Sequence, residues 1–330
     1  MPVTQRPVPL PWTNVYGLAR TLVALGTAGT LAASSAETLF RPVATIGDYP
    51  LCTSTTAASV FCLASHNYTH LTWIKWACVL VLLVVASGWR PRFTALPHAY
   101  INYSVFSGIA IADGGDQVAL ILSVLFVLPA IGDKRRWHWE PQQQAPGSRI
   151  APVLALLGTS ALITVRLQMV VIYFQAAVAK LPHAEWQDGT AMWYWGSNLD
   201  FGPAPWLNTL IAPIIATPLG VALMTWAPLA IELSLAVCLL LPQRQRWWVM
   251  SAGLVFHLSI ALIMGLWSFA LAMAGGILVL CQPLGGSLHI RRATHPAHVA
   301  ATTTPEAEEA APRKQGGSSA QPAGVAQPSA

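Results

Sequence analysis

IAPVLALLGTSALITVRLQMVVIYFQAAVAK, residues 150–180, is the stretch that decides the fold, because it is apolar over nearly its whole length. A helix needs about 20 such residues to cross the hydrocarbon core of a bilayer. Residues 150–178 exceed that length and contain a single charged side chain, Arg166. We therefore predict a transmembrane helix over residues 150–178.

Similar apolar blocks recur along the chain, which is 54% hydrophobic and 9% charged. Its mean hydropathy is +0.52, a value that water-soluble domains seldom reach. The sequence predicts an all-α, polytopic transmembrane helical bundle of about eight spans. The last two blocks share one apolar run, so a single span with a re-entrant piece is the alternative. The predicted spans are residues 12–33, 71–89, 96–112, 117–132, 150–178, 218–241, 247–265 and 267–281.

The distribution of cations predicts the orientation, because Lys and Arg resist translocation during insertion. With both termini in the cytoplasm, nearly all loop cations fall on the inner side and Arg41 falls outside. A cleavable signal peptide is the alternative for the first span, since residues 32–36 carry an Ala-x-Ala-like pattern. In that case the remaining seven spans would start outside. In the orientation with both termini in the cytoplasm, the inner-loop cations are Arg6, Arg90, Arg92, Lys134, Arg135, Arg136, Arg149, Arg244, Arg246, Arg291 and Arg292.

The chain divides into three parts on composition. Residues 1–10 form a short cytoplasmic segment, residues 11–282 the transmembrane domain, and residues 283–330 a tail. From about residue 293 onward the tail is rich in Ala, Thr, Pro, Glu, Gln, Gly and Ser, and we predict that it is disordered and cytoplasmic. The net charge of +5 does not indicate a nucleic-acid partner, because the cations flank apolar spans.

Cys52 and Cys62 lie ten residues apart in the first outer loop. That compartment is oxidising in the predicted orientation, so we expect a structural disulfide, with two unconnected thiols as the alternative. His66 and His70 follow in the same loop, but no third ligand accompanies them and no metal site is predicted.

Ionisable side chains within spans are the candidates for function, because each costs free energy at bilayer depth unless it is paired or hydrated. Arg20, Arg166, Glu232 and His257 are of this kind, and His98 with Asn102 form a polar pair one turn apart. For His257, a hydrogen bond to a neighbouring helix is the alternative to a chemical role.

The 150–180 stretch also carries a polar stripe. Arg166, Tyr173 and Lys180 are seven residues apart and share one helix face, which we expect to face the interior of the bundle. Glu232 is the nearest candidate partner for this stripe, and a purely structural ion pair between Arg166 and Glu232 is the alternative to a functional role. Lys180 is expected near the outer interface, where a snorkelling cation is the alternative to a functional group.

The polar stripe continues into a segment whose pattern is recognisable. Residues 173–181, YFQAAVAKL, followed by residues 185–194, EWQDGTAMWY, resemble the lysine signature of the HTTM superfamily, which includes the vitamin K-dependent γ-carboxylases. Within it the sequence is most similar to the sporulation-delaying protein B (SdpB) family. The further segments that carry this resemblance are 11–20, PWTNVYGLAR; 87–92, SGWRPR; 113–117, DGGDQ; 136–139, RWHW; 256–257, FH; and 265–269, GLWSF.

The resemblance implies a bacterial cell-membrane protein that matures a secreted sporulation-delaying-type peptide toxin. The implied partners are the lipid bilayer, the toxin precursor and a small SdpA-like protein. In the carboxylases the matching lysine deprotonates reduced vitamin K, which implies that Lys180 is a base and a reduced quinone a co-substrate. The large lumenal domain of the carboxylases has no counterpart here, so carboxylation itself is not expected.

We therefore expect a membrane-embedded maturation factor with Lys180 as base, Glu232 as its orienting partner and His257 as proton carrier. Arg166 completes this catalytic set. The residues expected to contact substrate are Tyr173, Trp186, His98, Asn102 and Arg20. A proton-coupled transporter or exporter, with Arg166, Glu232 and His257 along its path, is one alternative. A non-catalytic toxin-binding scaffold is the other.

Overall fold

The computed structural model describes residues 9–64, 66–141, 150–198 and 202–288, and every regular element in those ranges is a helix. The predicted tail therefore lies outside the described residues from residue 289 onward. In chain order the α-helices are α1 Asn14–Ala33, α2 Ala36–Leu39, α3 Tyr68–Ser87, α4 Pro91–Gly108, α5 Gly114–Gly132, α6 Ala151–Val178, α7 Ala184–Gln187, α8 Ala191–Gly196, α9 Pro205–Ile215, α10 Pro218–Ala236, α11 Gln243–Met264 and α12 Trp267–Cys281.

Each predicted span coincides with a helix, which confirms an all-α, multi-pass bundle. Among the described helices, six are long and apolar enough to cross a membrane, namely α1, α3, α5, α6, α10 and α11. The other two predicted spans are α4 and α12. Helix α4 is more polar because it carries Arg92, His98 and Asn102. Helix α12 has 15 residues and is about 22 Å long, shorter than the bilayer core.

Helix α1 lies at the centre of the bundle and packs along α3 on one side and α12 on the other. Close approach to α12 depends on small residues, as is usual between membrane helices. A Cβ on Gly275 would lie 3.0 Å from the Ala19 carbonyl oxygen. Large apolar side chains such as Leu167, Val171 and Leu223 point outward, as expected for surfaces that face lipid.

The loop between α2 and α3 is folded against the end of α4. Cys52 and Cys62 are joined by a disulfide, with their Cα atoms 5.7 Å apart, which confirms that prediction. The Ser59 hydroxyl donates to the Ser104 carbonyl oxygen at 3.2 Å, and Tyr100 donates to the Ala58 carbonyl oxygen at 3.0 Å. The disulfide loop is therefore attached to a helix of the bundle.

Candidate functional site

An ion pair links the turn after α6 to the middle of α10. Helix α6 ends at Val178, and the Lys180 ammonium donates to both carboxylate oxygens of Glu232, at 2.5 and 2.7 Å. The Glu232 side chain is 7% exposed and that of Lys180 is 24% exposed. Lys180 is thus held as a charged donor within the protein, and the snorkelling alternative does not describe it.

An aromatic platform lies beside this ion pair. The Lys180 Nζ atom is 5.3 Å from the centroid of the Trp186 ring, within the range of a cation–π interaction. The Trp226 indole donates to the Trp186 carbonyl oxygen at 3.0 Å and so ties the segment after α6 to α10. Trp186, expected from the sequence to contact substrate, therefore lies directly next to Lys180.

A second polar pair joins α6 to α11. The Tyr173 hydroxyl and His257 Nε2 are 2.9 Å apart, and both side chains are buried. The imidazole lies between the rings of Phe256 and Phe269, whose centroids are 5.0 and 5.4 Å away. His257 Nδ1 has no hydrogen-bond partner, so the ring has one nitrogen engaged and one available.

The Tyr173–His257 pair and the Glu232 carboxylate border one cavity of about 300 Å³, whereas Lys180 lies behind Glu232 and is not among the lining residues. Its wall is mostly apolar, with polar atoms contributed by a carboxylate, a phenol, an imidazole and two amides. Such a mixture is typical of a small-molecule or substrate site. The cavity is lined by Gly114, Gln117, Val118, Ile121, Gln168, Ile172, Tyr173, Ala176, Glu232, Phe256, His257, Ile260, Phe269 and Met273.

Arg166 does not line this cavity, and the alternative of a structural ion pair between Arg166 and Glu232 is wrong. Its Nε donates to the Val279 carbonyl oxygen at 2.9 Å, and its NH2 donates to the Gln282 carbonyl oxygen. The guanidinium therefore caps the C-terminal end of α12, a favourable place for a cation. The seven-residue spacing places Arg166 and Lys180 on similar faces of one helical segment. They are nevertheless 14 residues apart, which corresponds to about 21 Å along the helix axis.

Arg20, His98 and Asn102 also lie away from the cavity. Arg20 belongs to α1 and the other two to α4, and none of the three is among the residues that line the cavity. Their expected contact with a substrate held next to Lys180 is therefore not supported by the fold. The three side chains instead form a separate buried cluster.

The cavity contains polar residues that we did not single out from the sequence, chiefly Gln117 and Gln168. A sequence signal for Gln168 does exist, because Gln168, Ile172 and Ala176 recur at i, i+4 and i+8 and all line the cavity. For Gln117, at the start of α5, the pattern of the chain offers no comparable signal.

The helical bundle and its buried polar site define a multi-pass membrane protein. The HTTM domain model matches residues 157–284 of the chain. That range contains Lys180, Glu232 and His257. The roles of these residues remain predictions.

Two proteins of Bacillus subtilis (strain 168) resemble the chain over most of its length. One is YitO, described as an uncharacterized protein, which is 33% identical over 86% of this chain and 90% of its own length. The other is the sporulation-delaying protein SdpB, 30% identical over 83% of both chains. The chain belongs to this SdpB-like family of HTTM proteins. No solved structure matches it significantly.

Proposed function

We propose that this protein is an integral membrane factor in the maturation of a secreted, sporulation-delaying-type peptide toxin. We further propose that it modifies the precursor at the cavity between α5, α6, α10, α11 and α12. The observation that carries this proposal is the Lys180–Glu232 pair, whose carboxylate forms part of the cavity wall. The relationship to SdpB supports the pathway, and the geometry supports chemistry rather than a passive scaffold.

Lys180 acts as the base once it has transferred its proton to Glu232. Over the 2.5 Å between Nζ and Oε1, a proton moves from the ammonium to the carboxylate and leaves a neutral amine and a carboxylic acid. Loss of the paired charges is favoured when a bound substrate excludes water from the site. The amine then accepts a proton from the substrate, and Glu232, whose carboxylate lines the cavity, holds the lysine beside it.

Tyr173 on α6 and His257 on α11 form a second pair of side chains that can exchange protons. The imidazole can release the Nδ1 proton to a group in the cavity and take the Tyr173 phenol proton at Nε2, which leaves a phenolate that the reverse transfer protonates again. His257 is thereby suited to carry protons between the cavity and the phenol. The buried Tyr173 hydroxyl also fixes the orientation of the ring.

The cavity walls fit a flat, partly polar ring such as that of a reduced quinone, because Phe256, Phe269 and Tyr173 provide aromatic surface and Gln168 an amide. A reduced quinone would supply a phenolic hydroxyl that can be deprotonated and a ring that can be oxidised. Lys180 would accept the proton of that hydroxyl, and the aromatic side chains would orient the ring.

The proposed partners are the toxin precursor, a small SdpA-like protein and the surrounding lipid bilayer. In the proposed orientation, with both termini in the cytoplasm, α6 runs outward and Lys180 follows its outer end. The exposed segment that contains Trp186 is then available to a precursor that arrives from the outer side. The SdpA-like partner would present this precursor to the site.

The test is Lys180→Arg in a toxin-producing host in which this protein is the only member of its family. Arginine keeps the positive charge and the ion pair, but it does not give up its proton at physiological pH and cannot serve as a base. We expect normal amounts of protein in the membrane and no mature toxin by mass spectrometry of the culture medium. Lys134→Arg, at an exposed lysine, is the matched control and should leave toxin output unchanged.

Mature toxin at the wild-type level from Lys180→Arg would refute the role as base. Mature toxin that accumulates inside the cells would instead favour the exporter. Unprocessed precursor, without mature toxin in either compartment, is the result expected for a maturation factor.

A further inference from the structure

A buried polar seam runs between α1 and α4, on the other side of the bundle from the proposed site. Arg20 and Thr27 are seven residues apart on α1, and Thr94, His98 and Asn102 follow at four-residue intervals on α4. These spacings place each set on one helix face. All five side chains are buried.

Arg20 is a buried cation, and only some of its hydrogen-bond donors have a partner. Its side chain is 0% exposed, its NH2 donates to the Thr94 hydroxyl oxygen at 3.1 Å, and its guanidinium carbon is 5.9 Å from the Tyr16 ring centroid. Its Nε and NH1 atoms have no hydrogen-bond partner. A guanidinium remains charged when buried, so an acceptor is missing here.

The buried carboxylate at this end of the bundle does not compensate Arg20. Asp133 accepts from the Nε and NH2 atoms of Arg135, at 2.9 and 2.8 Å, and is fully engaged in that ion pair. Arg135 in turn donates to the carbonyl oxygen of His138 at 2.9 Å, next to the seam. Asp133 and Arg135 neutralise each other, which leaves Arg20 without a carboxylate partner.

The other unpartnered atoms of the seam are also mainly donors. Neither ring nitrogen of His98 has a partner, and a neutral imidazole always offers one N–H. The Asn102 amide oxygen accepts from Thr27 at 2.5 Å, whereas its NH2 group donates to nothing. His98 lies one turn beyond Thr94, to which Arg20 is bonded, so the imidazole and the guanidinium are neighbours.

We propose that Arg20 and His98 bind a small monovalent anion of the chloride class between α1 and α4. One such ion accepts from Arg20 Nε, Arg20 NH1 and the His98 N–H, and it balances the charge of Arg20. Water alone would satisfy the donors but would leave a cation without a counter-charge in a low-dielectric interior. Arg20 and His98 are both 0% exposed, so the proposed ligand is a single-atom ion and not a bulky organic anion.

The test is the thermal unfolding of the full-length protein in detergent at constant ionic strength, with chloride replaced stepwise by gluconate. We expect the Tm to rise with chloride along a saturating curve. In Arg20→Gln the Tm should not depend on chloride, because the charge that requires the anion is gone. Arg92→Gln, at an exposed arginine in the first turn of α4, is the matched control and should keep the dependence.

His98→Leu provides a second variant that retains the Arg20 charge. Loss of one hydrogen bond to an ion should raise the half-saturating chloride concentration about tenfold or more. Equal Tm values in chloride and gluconate for the wild type would overturn the proposal. An undiminished chloride dependence in either Arg20→Gln or His98→Leu would do so as well.

Discussion

Removal of either member of the Lys180–Glu232 pair should destabilise the protein, and by unequal amounts. Lys180→Met leaves a carboxylate that is 7% exposed without its cation. Breaking a buried pair in this way costs about 3–5 kcal/mol, because the remaining charge is poorly hydrated. Glu232→Leu leaves an ammonium that is 24% exposed, so water can reach it and the expected cost is about 1–2 kcal/mol.

The double variant Lys180→Met/Glu232→Leu should recover most of this loss. No unpaired charge remains, and replacing a buried ion pair by apolar residues is often nearly neutral. The coupling energy of the cycle is therefore expected to be about 3 kcal/mol or more.

The measurement is the free energy of unfolding from reversible denaturation by sodium dodecyl sulfate in mixed micelles, for the wild type and the three variants. The reasoning is refuted if the double variant loses as much stability as the two single variants added together. It is also refuted if Glu232→Leu proves more damaging than Lys180→Met.

Three further outcomes follow from the packing. Arg166→Gln should lower stability by about 1–3 kcal/mol, because carbonyl oxygens at the end of α12 lose a charged donor, while toxin maturation per folded molecule stays unchanged. Gly115→Ala should lower the Tm, since its Cβ would lie 2.5 Å from backbone of α12, whereas Gly29→Ala meets nothing within 4 Å and should be neutral or stabilising. The sulfur atoms of Cys238 and Cys281 are 3.4 Å apart, so the oxidant diamide should join them in a disulfide. The mass should fall by two hydrogens, and fewer thiols should react with an alkylating agent after denaturation. Retention of both thiols would contradict that proximity.

The long helices could be predicted closely from the sequence because six of those described are apolar blocks of membrane-spanning length, whereas the short helices α2, α7, α8 and α9 were not predicted. Residues 150–178, for example, were expected to form one span and lie in α6, Ala151–Val178. The partner of Glu232 could not be fixed in the same way, because helical periodicity gives the face of a residue and not its depth. Arg166 and Lys180 are both plausible by face, and only packing of α6 against α10 selects Lys180.

The helices that pack against α4 could not be predicted from a single sequence either. His98 and Asn102 have the polar spacing of a functional face, but nothing in the chain order says whether that face meets α1 or the cavity. The structure turns it toward Arg20 and Thr27. Polar spacing therefore identified buried residues correctly and assigned some of them to the wrong site.

Toxin maturation by the charge-free double variant Lys180→Met/Glu232→Leu tests the proposed site most directly, because it separates stability from chemistry. The protein should be folded and present in the membrane at about the wild-type amount, yet mass spectrometry of the medium should detect no mature toxin. Mature toxin at the wild-type level from this variant would show that the pair only holds the helices together, and that the cavity is not where Lys180 and Glu232 act.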